Sequence, residues 1–386
     1  MAPVLRALRE RPDVDAVLAL SGQHTDLVEQ ALDVFSLELA HDLETEYDLA
    51  LMRPGQDLYD LAHGLLDGVR KVLEVERPDI LLVQGDTATV FFGSLVAFFE
   101  GRRVGHVEAG LRSGDKWAPF PEEIFRRLTD VVTDHLFAPT PAAARNLRRE
   151  GYPAGTIHVT GNTVVDAVRA AAEQGREPRC PELRRILVSD RALVLLTAHR
   201  RESFGEPIRR IFRAVRRLAD AAEGAEILYP VHPNPRVQEP ARELLSAHPR
   251  IHLVEPLDYL DLVAALRGAR LVLTDSGGIQ EEAPAFGTPV LVLRDVTERP
   301  EAIAAGVARL VGTDGERIFT EALKLLESDE AHADMARASN PFGDGRAGER
   351  IADILVSSLT GADRDTRDWD GPDPRARPRP VDRTPS

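Results

Sequence analysis

The sequence predicts an α/β protein with two domains, each built around a parallel β-sheet with helices on its faces. Three observations lead to this class. Apolar runs of strand length alternate with segments of helical periodicity along most of the chain, which is the pattern of repeated βαβ units. The 386 residues are enough for two such domains, and 43% hydrophobic residues are typical of globular proteins. Polar segments containing glycine follow several apolar runs, where open parallel sheets carry their binding sites.

The first domain begins in the middle of a βαβ unit. Residues 1–10 form an amphipathic helical segment, with Val4, Leu5 and Leu8 on one face. Periodicity and composition then predict strands at 14–20, 47–51, 80–83, 104–107 and 156–159, and helices at 26–32, 58–75 and 87–100. Residues 131–137 lead into a further strand that ends at 138–140.

A second alternating series follows the turn residues Gly161, Asn162 and Thr163, which indicate a domain exit. The predicted strands are 192–197, 225–231, 251–254, 270–274 and 289–293, and the predicted helices are 207–222, 257–266 and 278–286. One final helix follows a loop after Asn340. From Gly361 onward Pro, Arg and Asp dominate, which predicts a disordered tail.

Composition excludes several classes of function. A formal net charge of -15 argues against general nucleic-acid binding, so an anionic substrate would need a local positive site. The single cysteine, Cys180, allows neither an internal disulfide nor a cysteine metal cluster. We find no apolar run of membrane-spanning length and no signal-peptide pattern, so a cytoplasmic enzyme is the default expectation.

Three carboxylates mark a candidate catalytic region. Asp86 and Glu108 each lie just past a predicted strand, and the carboxyl ends of parallel strands form one crevice, so we expect both to face one pocket. Glu122 follows Pro121 in the first turn of a predicted helix, where backbone N–H groups favour negative charge. The structural alternatives are a helix N-cap for Asp86, simple helix initiation for Glu122, and a surface ion pair of Glu108 with Arg112 worth about 0 to 1 kcal/mol.

Cationic residues follow a strand of the second domain. His199 and Arg200 come directly after strand 192–197, and such groups are costly to bury unless they face solvent or hold an anion; we favour the anion. His232 also lies at a strand end. The alternative to a binding role is that it is an ordinary hydrogen-bonded loop histidine. Arg294 belongs to a charged rim for which a solvated loop is the alternative.

The segment 274–282 gives the strongest local signal. A strand ends in Ser276, Gly277 and Gly278 and a helix begins, so backbone N–H groups and the serine hydroxyl can cradle a phosphate. Glu282 can accept two hydrogen bonds from a ribose diol. Together they predict a nucleoside diphosphate, whereas the absence of a Walker lysine and of a GxGxxG pattern argues against ATP and NAD.

The motifs together resemble the UDP-N-acetylglucosamine 2-epimerase family of the non-hydrolysing bacterial type. They extend in order over about 14–359. The matching runs are GDT at 85–87, GHVEAGLRSGD at 105–115, PEE at 121–123, TGNTVVDA at 160–167, HRRESFG at 199–205, HPNP at 232–235, DSGGIQEEAP at 275–284, GTPVLVLRDVTERPEA at 287–302 and NPFGDG at 340–345.

The resemblance implies a GT-B architecture of two Rossmann-like domains with the active site in the interdomain cleft. The N-terminal domain would comprise 1–162 plus 346–359, the UDP-binding domain 163–345, and the disordered tail 360–386. The resemblance also implies a homodimer, a second, regulatory UDP-GlcNAc site, and chemistry that needs neither a metal nor another cofactor.

The site residues are assigned in three groups. By resemblance, the catalytic set is Asp86, Glu108, Glu122 and His199. The substrate-binding set is Arg112, Arg200, His232, Ser276, Gly277, Gly278, Glu282 and Arg294. The regulatory site would include Gln23, His24 and Arg201.

One departure from the family concerns its first strand. In the family that strand ends in a Gly-Thr-Arg-Pro-Glu-Ala-Ile-Lys turn, which continues into Met-Ala-Pro-Val. This sequence starts at Met1, Ala2, Pro3 and Val4, so the strand and its Arg and Lys are missing. Since that strand is central in such a sheet, its loss would leave its neighbours without hydrogen-bond partners, and we expect translation to begin upstream of Met1.

The predicted chemistry is inversion at C2 of a UDP-linked N-acetylhexosamine. Loss of UDP from C1 acidifies the C2 proton, a carboxylate removes it to give 2-acetamidoglucal, and re-addition of UDP with protonation from the other face completes the inversion. The alternatives are a hydrolysing epimerase that releases ManNAc and UDP, a 2-epimerase for another UDP-2-acetamido sugar, a GT-B glycosyltransferase, and a non-catalytic sensor of sugar nucleotides.

Overall fold

The structure is a computed structural model that describes residues 1–21, 47–49, 51 and 55–372. It divides into two compact units. The first unit comprises Met1–Ala167 and Phe342–Gly371, and the second comprises Val168–Pro341. The partition expected from the sequence is 1–162 with 346–359 for the first domain and 163–345 for the second.

The first unit alternates strands with helices in the described residues. Its strands are β1 (Ala19–Leu20), β2 (Tyr47–Asp48), β3 (Ile80–Gln84), β4 (Arg103–Val107), β5 (His135–Ala138) and β6 (Ile157–Val159). Its helices are α1 (Ala2–Arg9), α2 (Leu58–Glu76), α3 (Ala88–Phe99), α4 (Glu122–Val131), α5 (Pro141–Arg149), the start of α6 (Thr163–Glu173) and, near the end of the chain, the last helix, Ala347–Thr360.

The strands of the described part of this unit form two separate parallel sheets. β1 pairs with β2, and the other sheet has the order β3-β4-β5-β6. The first strand is shorter than the predicted 14–20, because only Ala19 and Leu20 have ladder partners. The predicted helix at 26–32 lies outside the described residues.

The last helix of the chain packs on α1. A Cβ at Gly348 would lie 2.7 Å from the Pro3 carbonyl oxygen, closer than real Cβ atoms come, so the two backbones can approach this closely only because residue 348 is glycine. Val4 and Leu8 of α1 are buried in one cluster with Ile351 and Leu355 of the last helix.

The segment after Gly361 differs from its predicted disorder as far as residue 371. The Trp369 N–H donates to the Val159 carbonyl at 2.7 Å, and the Val159 N–H donates to Asp368 Oδ2 at 3.0 Å, so this segment bonds to strand β6. The Trp369 side chain is buried in a cluster with Leu136 and Leu147. One large apolar side chain therefore anchors a segment whose average composition is that of a disordered tail; residues 373–386 lie outside the described part.

The second unit contains six strands and a longer series of helices. Its strands are β7 (Ala192–Thr197), β8 (Ala225–Pro230), β9 (Ile251–Val254), β10 (Ala269–Thr274), β11 (Val290–Val292) and β12 (Ala308–Leu310). Its helices after α6 are α7 (Pro181–Leu187), α8 (Glu206–Ala221), α9 (Pro235–Leu245), α10 (Tyr259–Gly268), α11 (Gly277–Glu282), α12 (Pro300–Ala304), α13 (Gly315–Glu327) and α14 (Asp329–Ala336), and the last helix of the chain is thus α15.

The sheet of this unit has the classical doubly wound order. All six strands are parallel in the order β12-β11-β10-β7-β8-β9. The chain therefore moves outward in one direction from β7 and, after β9, returns to the other side at β10. The point where the direction reverses, between β7 and β10, is where such sheets bind ligands beyond their carboxyl ends. The fold class predicted from the sequence, α/β with two Rossmann-like units, is confirmed.

In the part of the chain that the structure describes, no helix is both long enough and apolar enough to cross a bilayer.

Candidate active site

The ends of β3 and β4 bring Asp86 and Glu108 into neighbouring turns. Gln84 is opposite Val107 in the strand register, and the Gly85 N–H donates to the Val107 carbonyl at 3.1 Å. The Gln84 side-chain amide donates to Glu108 Oε1 at 2.8 Å. A side chain at Gly85 would begin 3.8 Å from Glu108 Oε2. The turn that precedes Asp86 therefore lies against the Glu108 carboxylate.

Asp86 is held by an arginine that the sequence patterns did not indicate. Arg126, on α4, forms an ion pair with Asp86 Oδ2 and also donates to Glu123 Oε2 at 2.8 Å. Its partner in the strand-end turn comes from a distant part of the chain, so no local pattern could reveal the pair. The Asp86 carboxylate is thus oriented by a guanidinium rather than acting as a simple helix cap.

The two glutamates at the start of α4 have different environments. Glu122 is half-buried at the first residue of the helix. Glu123 is only 1% exposed and accepts the backbone N–H groups of Ser113 at 2.9 Å and Gly114 at 3.4 Å. Glu123 therefore shapes the loop after β4, while Glu122 remains the glutamate of this pair with access to a ligand.

Arg112 is paired with two carboxylates other than Glu108. Its guanidinium donates to Asp130 Oδ2 at 2.7 Å and to Glu150 at 2.8 and 2.7 Å. Burial alone would lower the pKa of Arg112, but the hydrogen bonds to Glu150 and Asp130 outweigh it and raise the pKa above its ordinary value. Arg112 stays charged and ties the loop after β4 to α4 and α5; its predicted contact with substrate would have to coexist with these bonds.

In the second unit, a buried aspartate joins the ends of β7 and β10. Thr197 and Thr274 are opposite each other in the register, and their hydroxyl oxygens are 2.6 Å apart. Asp275, which is fully buried, accepts the backbone N–H groups of His199 at 2.7 Å and Arg200 at 2.8 Å through one oxygen. Asp275 therefore fixes the two predicted anion-binding residues at the switch point of the sheet.

The His199 ring is held between Asp275 and His232. Its Nδ1 lies 3.3 Å from Asp275 Oδ1, and the two imidazole rings stack with centroids 5.5 Å apart and planes 9° from parallel. Burial lowers the pKa of His199; Asp275 opposes the shift, and the neighbouring His232 and Arg200 add to it. His199 is therefore neutral at pH 7 and can exchange a proton or donate a hydrogen bond.

The predicted phosphate cradle lies at the start of α11. The Ser276 N–H donates to the Thr274 hydroxyl at 2.9 Å, and the helix begins at Gly277. A Cβ at Gly277 would be 3.7 Å from Glu298 Oε2 and 3.8 Å from Arg200 Nη2, and one at Gly278 would be 4.0 Å from Ser276 Oγ. The glycine backbone thus leaves space at the helix start, where N–H groups suit an anion, with a guanidinium and a carboxylate both beside it.

Glu282 ends α11, and Arg294 follows β11. Burial, with a smaller contribution from Glu281, raises the pKa of Glu282 to about 7. Arg294 donates to Glu202 at 2.5 Å and lies 3.4 Å from Glu298, so both of its partners are carboxylates. A ribose diol that donated to Glu282 would favour its ionised form.

The predicted regulatory residues are only partly covered. Arg201 is exposed in the short turn Arg201–Ser203, whereas Gln23 and His24 lie outside the described residues. Over the described residues, no three His, Cys, Asp or Glu side chains are grouped as metal ligands.

Comparison with known proteins identifies relatives over nearly the whole chain. The family model described as UDP-N-acetylglucosamine 2-epimerase matches residues 6–356. The UDP-N-acetylglucosamine 2-epimerase of Salmonella typhimurium is 43% identical over 362 residues, which cover 92% of this chain and 95% of that protein.

Solved structures of UDP-GlcNAc 2-epimerases are similar to this chain over most of its length. The Neisseria meningitidis UDP-GlcNAc 2-epimerase, bound to UDP-GlcNAc, has a TM-score of 0.80 and 38% identity, covering 94% of this chain and 96% of that one. The Methanocaldococcus jannaschii UDP-GlcNAc 2-epimerase, in complex with UDP-GlcNAc and UDP, has a TM-score of 0.71 and 34% identity, covering 92% of this chain and 95% of that one. These likenesses, with the two parallel-sheet units, support the predicted GT-B fold type.

The raised pKa of Glu282 predicts a pH-dependent stability. The folded protein holds this proton up to about pH 7, whereas the ordinary value is 4.5, so the folded state binds more protons in that interval and loses stability as pH rises through it. The loss is on the order of 3 kcal/mol at most. We expect Glu282→Gln to raise the unfolding temperature at pH 8 but much less at pH 5, measured by calorimetry. The exposed control Glu223→Gln should show no such difference, and an equal effect of Glu282→Gln at both pH values would contradict the assignment.

Proposed function

The chain belongs to the UDP-N-acetylglucosamine 2-epimerase family of isomerases, and on that premise we propose that it interconverts UDP-GlcNAc and UDP-ManNAc without hydrolysis. The observation that carries the proposal is the division of chemistry between the units. The first unit holds carboxylates at adjacent strand ends, and the second holds an imidazole, a guanidinium and a helix start at a switch point. The carboxylates of the first unit suit chemistry on the sugar. The cationic groups and the helix start of the second unit suit the diphosphate of a sugar nucleotide.

The C2 proton is barely acidic because it is not next to a carbonyl. The reaction therefore needs loss of UDP together with acid–base groups that move the proton. When the bond from C1 to the UDP oxygen breaks, the electron pair leaves with UDP and positive charge develops at C1. A carboxylate then removes the C2 proton, and a C1–C2 double bond forms. Addition of a proton to the other face of C2 and of the UDP oxygen to C1 restores the UDP-linked sugar with inverted C2.

Among the acids, Glu108 is the best candidate for removing the C2 proton. Asp86 is ion-paired with the Arg126 guanidinium, which occupies one of its carboxylate oxygens. Glu108 instead accepts a hydrogen bond from the neutral Gln84 amide. Asp86 then stabilises positive charge at C1, and Glu122, at the start of α4, completes the acidic set.

The groups of the second unit would act on the diphosphate. Arg200, beside Gly277, and the backbone N–H groups at the start of α11 stabilise the charge that develops on the leaving UDP. His199, whose Nδ1 faces Asp275, leaves its Nε2 for the UDP group, and Glu282 accepts the ribose hydroxyls.

A homodimer with a second nucleotide site belongs to the same proposal. Large apolar side chains at the carboxyl-terminal ends of three neighbouring helices, α2, α3 and α4, are more than half exposed: Val75, Phe98, Phe99 and Val131. Such a patch suits association with a second copy. Exposed Arg201, with Gln23 and His24, would serve the regulatory UDP-GlcNAc site.

Product analysis separates this function from its alternatives. The protein is incubated with UDP-GlcNAc alone and followed by proton and phosphorus NMR. We expect a second UDP-linked N-acetylhexosamine to appear while the diphosphate signals persist. Accumulation of free ManNAc and UDP would show a hydrolysing enzyme. No change without an added acceptor would favour a glycosyltransferase, unless another UDP-2-acetamido sugar is converted.

Replacement of Glu108 by glutamine should lower turnover by at least about 100-fold, because the amide has nearly the same shape but cannot take a proton. UDP affinity, measured by calorimetric titration, should change by less than about threefold, since the residues proposed to bind the diphosphate belong to the second unit. Glu100→Gln, at the end of α3, is the matched control and should keep wild-type turnover. A Glu108→Gln variant with wild-type turnover would show that another group removes the proton.

A further inference from the structure

A buried carboxylate on α4, Asp130, makes contacts that point to a role in the proposed reaction. Its side chain is fully buried. One oxygen lies 2.6 Å from His106 Nδ1. The other accepts the Arg112 guanidinium at 2.7 Å and the Gly110 N–H at 3.3 Å. One carboxylate thus joins three separate points of a single chain segment.

These points lie on both sides of Glu108. His106 precedes it in β4, and Gly110 and Arg112 follow it in the loop. Glu108 itself has φ +71°, in the left-handed region that a residue other than glycine seldom adopts. Such a conformation persists where the flanking residues are held firmly. The contacts of Asp130 hold them.

The same network reaches Asp86 through the His106 ring. His106 is fully buried, and its Nε2 lies 2.8 Å from the Gly85 carbonyl oxygen. The carbonyl oxygen and the Asp130 carboxylate are both hydrogen-bond acceptors, so the ring meets an acceptor at each nitrogen. His106 thereby bridges α4 to the turn that immediately precedes Asp86.

Arg112 and His106 share the Asp130 carboxylate. Arg112 is within hydrogen-bond distance of both Asp130 and Glu150, and His106 is within hydrogen-bond distance of Asp130. A ring nitrogen without a hydrogen that faced either acceptor would be costly in a buried site.

We propose that Asp130 and His106 are positioning residues for epimerisation, which hold the turns of Glu108 and Asp86 in reactive geometry. The inference rests on the proposed function, because it assigns the two turns to the reacting sugar. Neither residue needs to touch the substrate.

The test compares the two acidic partners of Arg112. Asp130→Asn keeps the side-chain shape but presents an amide to His106. We expect kcat to fall by about 10- to 100-fold, with KM and UDP affinity within about threefold of wild type, because misplaced catalytic groups slow the chemical step. Glu150→Gln removes the other partner of Arg112 and leaves the contacts of Asp130 to His106 and Gly110; its kcat should stay within about threefold.

A spectroscopic measurement accompanies the kinetics. In nitrogen-15 NMR at about pH 7.5, His106 of the wild-type protein should show two protonated ring nitrogens, because each faces an acceptor. In Asp130→Asn it should show one. Assignment uses His106→Gln, which removes the signal. A single protonated nitrogen in the folded wild type would overturn the proposal even if Asp130→Asn failed to fold.

The two hypotheses fail differently. If wild-type protein converts no UDP-2-acetamido sugar, the proposed function fails, and with it the role in epimerisation. If wild-type protein is active and Asp130→Asn keeps its kcat, or if Glu150→Gln loses as much kcat as Asp130→Asn, only the positioning role is overturned.

Discussion

Backbone N–H groups at the carboxyl ends of parallel strands need hydrogen-bond partners, and the described structure depends on how this need is met. In each unit a fully buried aspartate accepts such groups. Asp275 accepts the two backbone N–H groups that follow β7, and Asp130 joins the His106 ring to the loop after β4. Because a buried acceptor left without a partner is costly, these contacts make each turn adopt one conformation. The residues proposed to carry the chemistry stand on those turns.

Two arginines of the first unit and Arg200 of the second unit have different surroundings. Arg126 and Arg112 are each shared between two carboxylates, so each holds acidic side chains in place. In the second unit Arg200 lies beside Gly277 at a helix start. In the proposed function, a chain with a net charge of -15 would bind the diphosphate through a local site of backbone N–H groups and a guanidinium. Acidic groups are concentrated where the sugar would react.

Periodicity predicted most strands and helices, because their apolar faces repeat locally. It placed Asp86 and Glu108 at strand ends, and the structure brings their turns together. It could not find Arg126, Asp130 or the role of Asp275, since each acts through partners distant in sequence and none belongs to a local pattern. Composition also misjudged the segment 361–371, where a single Trp369 and backbone bonds to β6 outweigh a polar average. Motif resemblance supplied the family, which comparison with relatives confirms.

The central claim is that the C2 proton is removed and replaced while the sugar nucleotide is reassembled. The most direct measurement is conversion of UDP-GlcNAc in heavy water, with C2 of the UDP-linked product examined by proton NMR. An elimination followed by re-addition predicts deuterium at C2 of the product, because the carboxylate that protonates C2 has exchanged with solvent. Product that forms with its original C2 proton intact, free of solvent deuterium, would contradict the account.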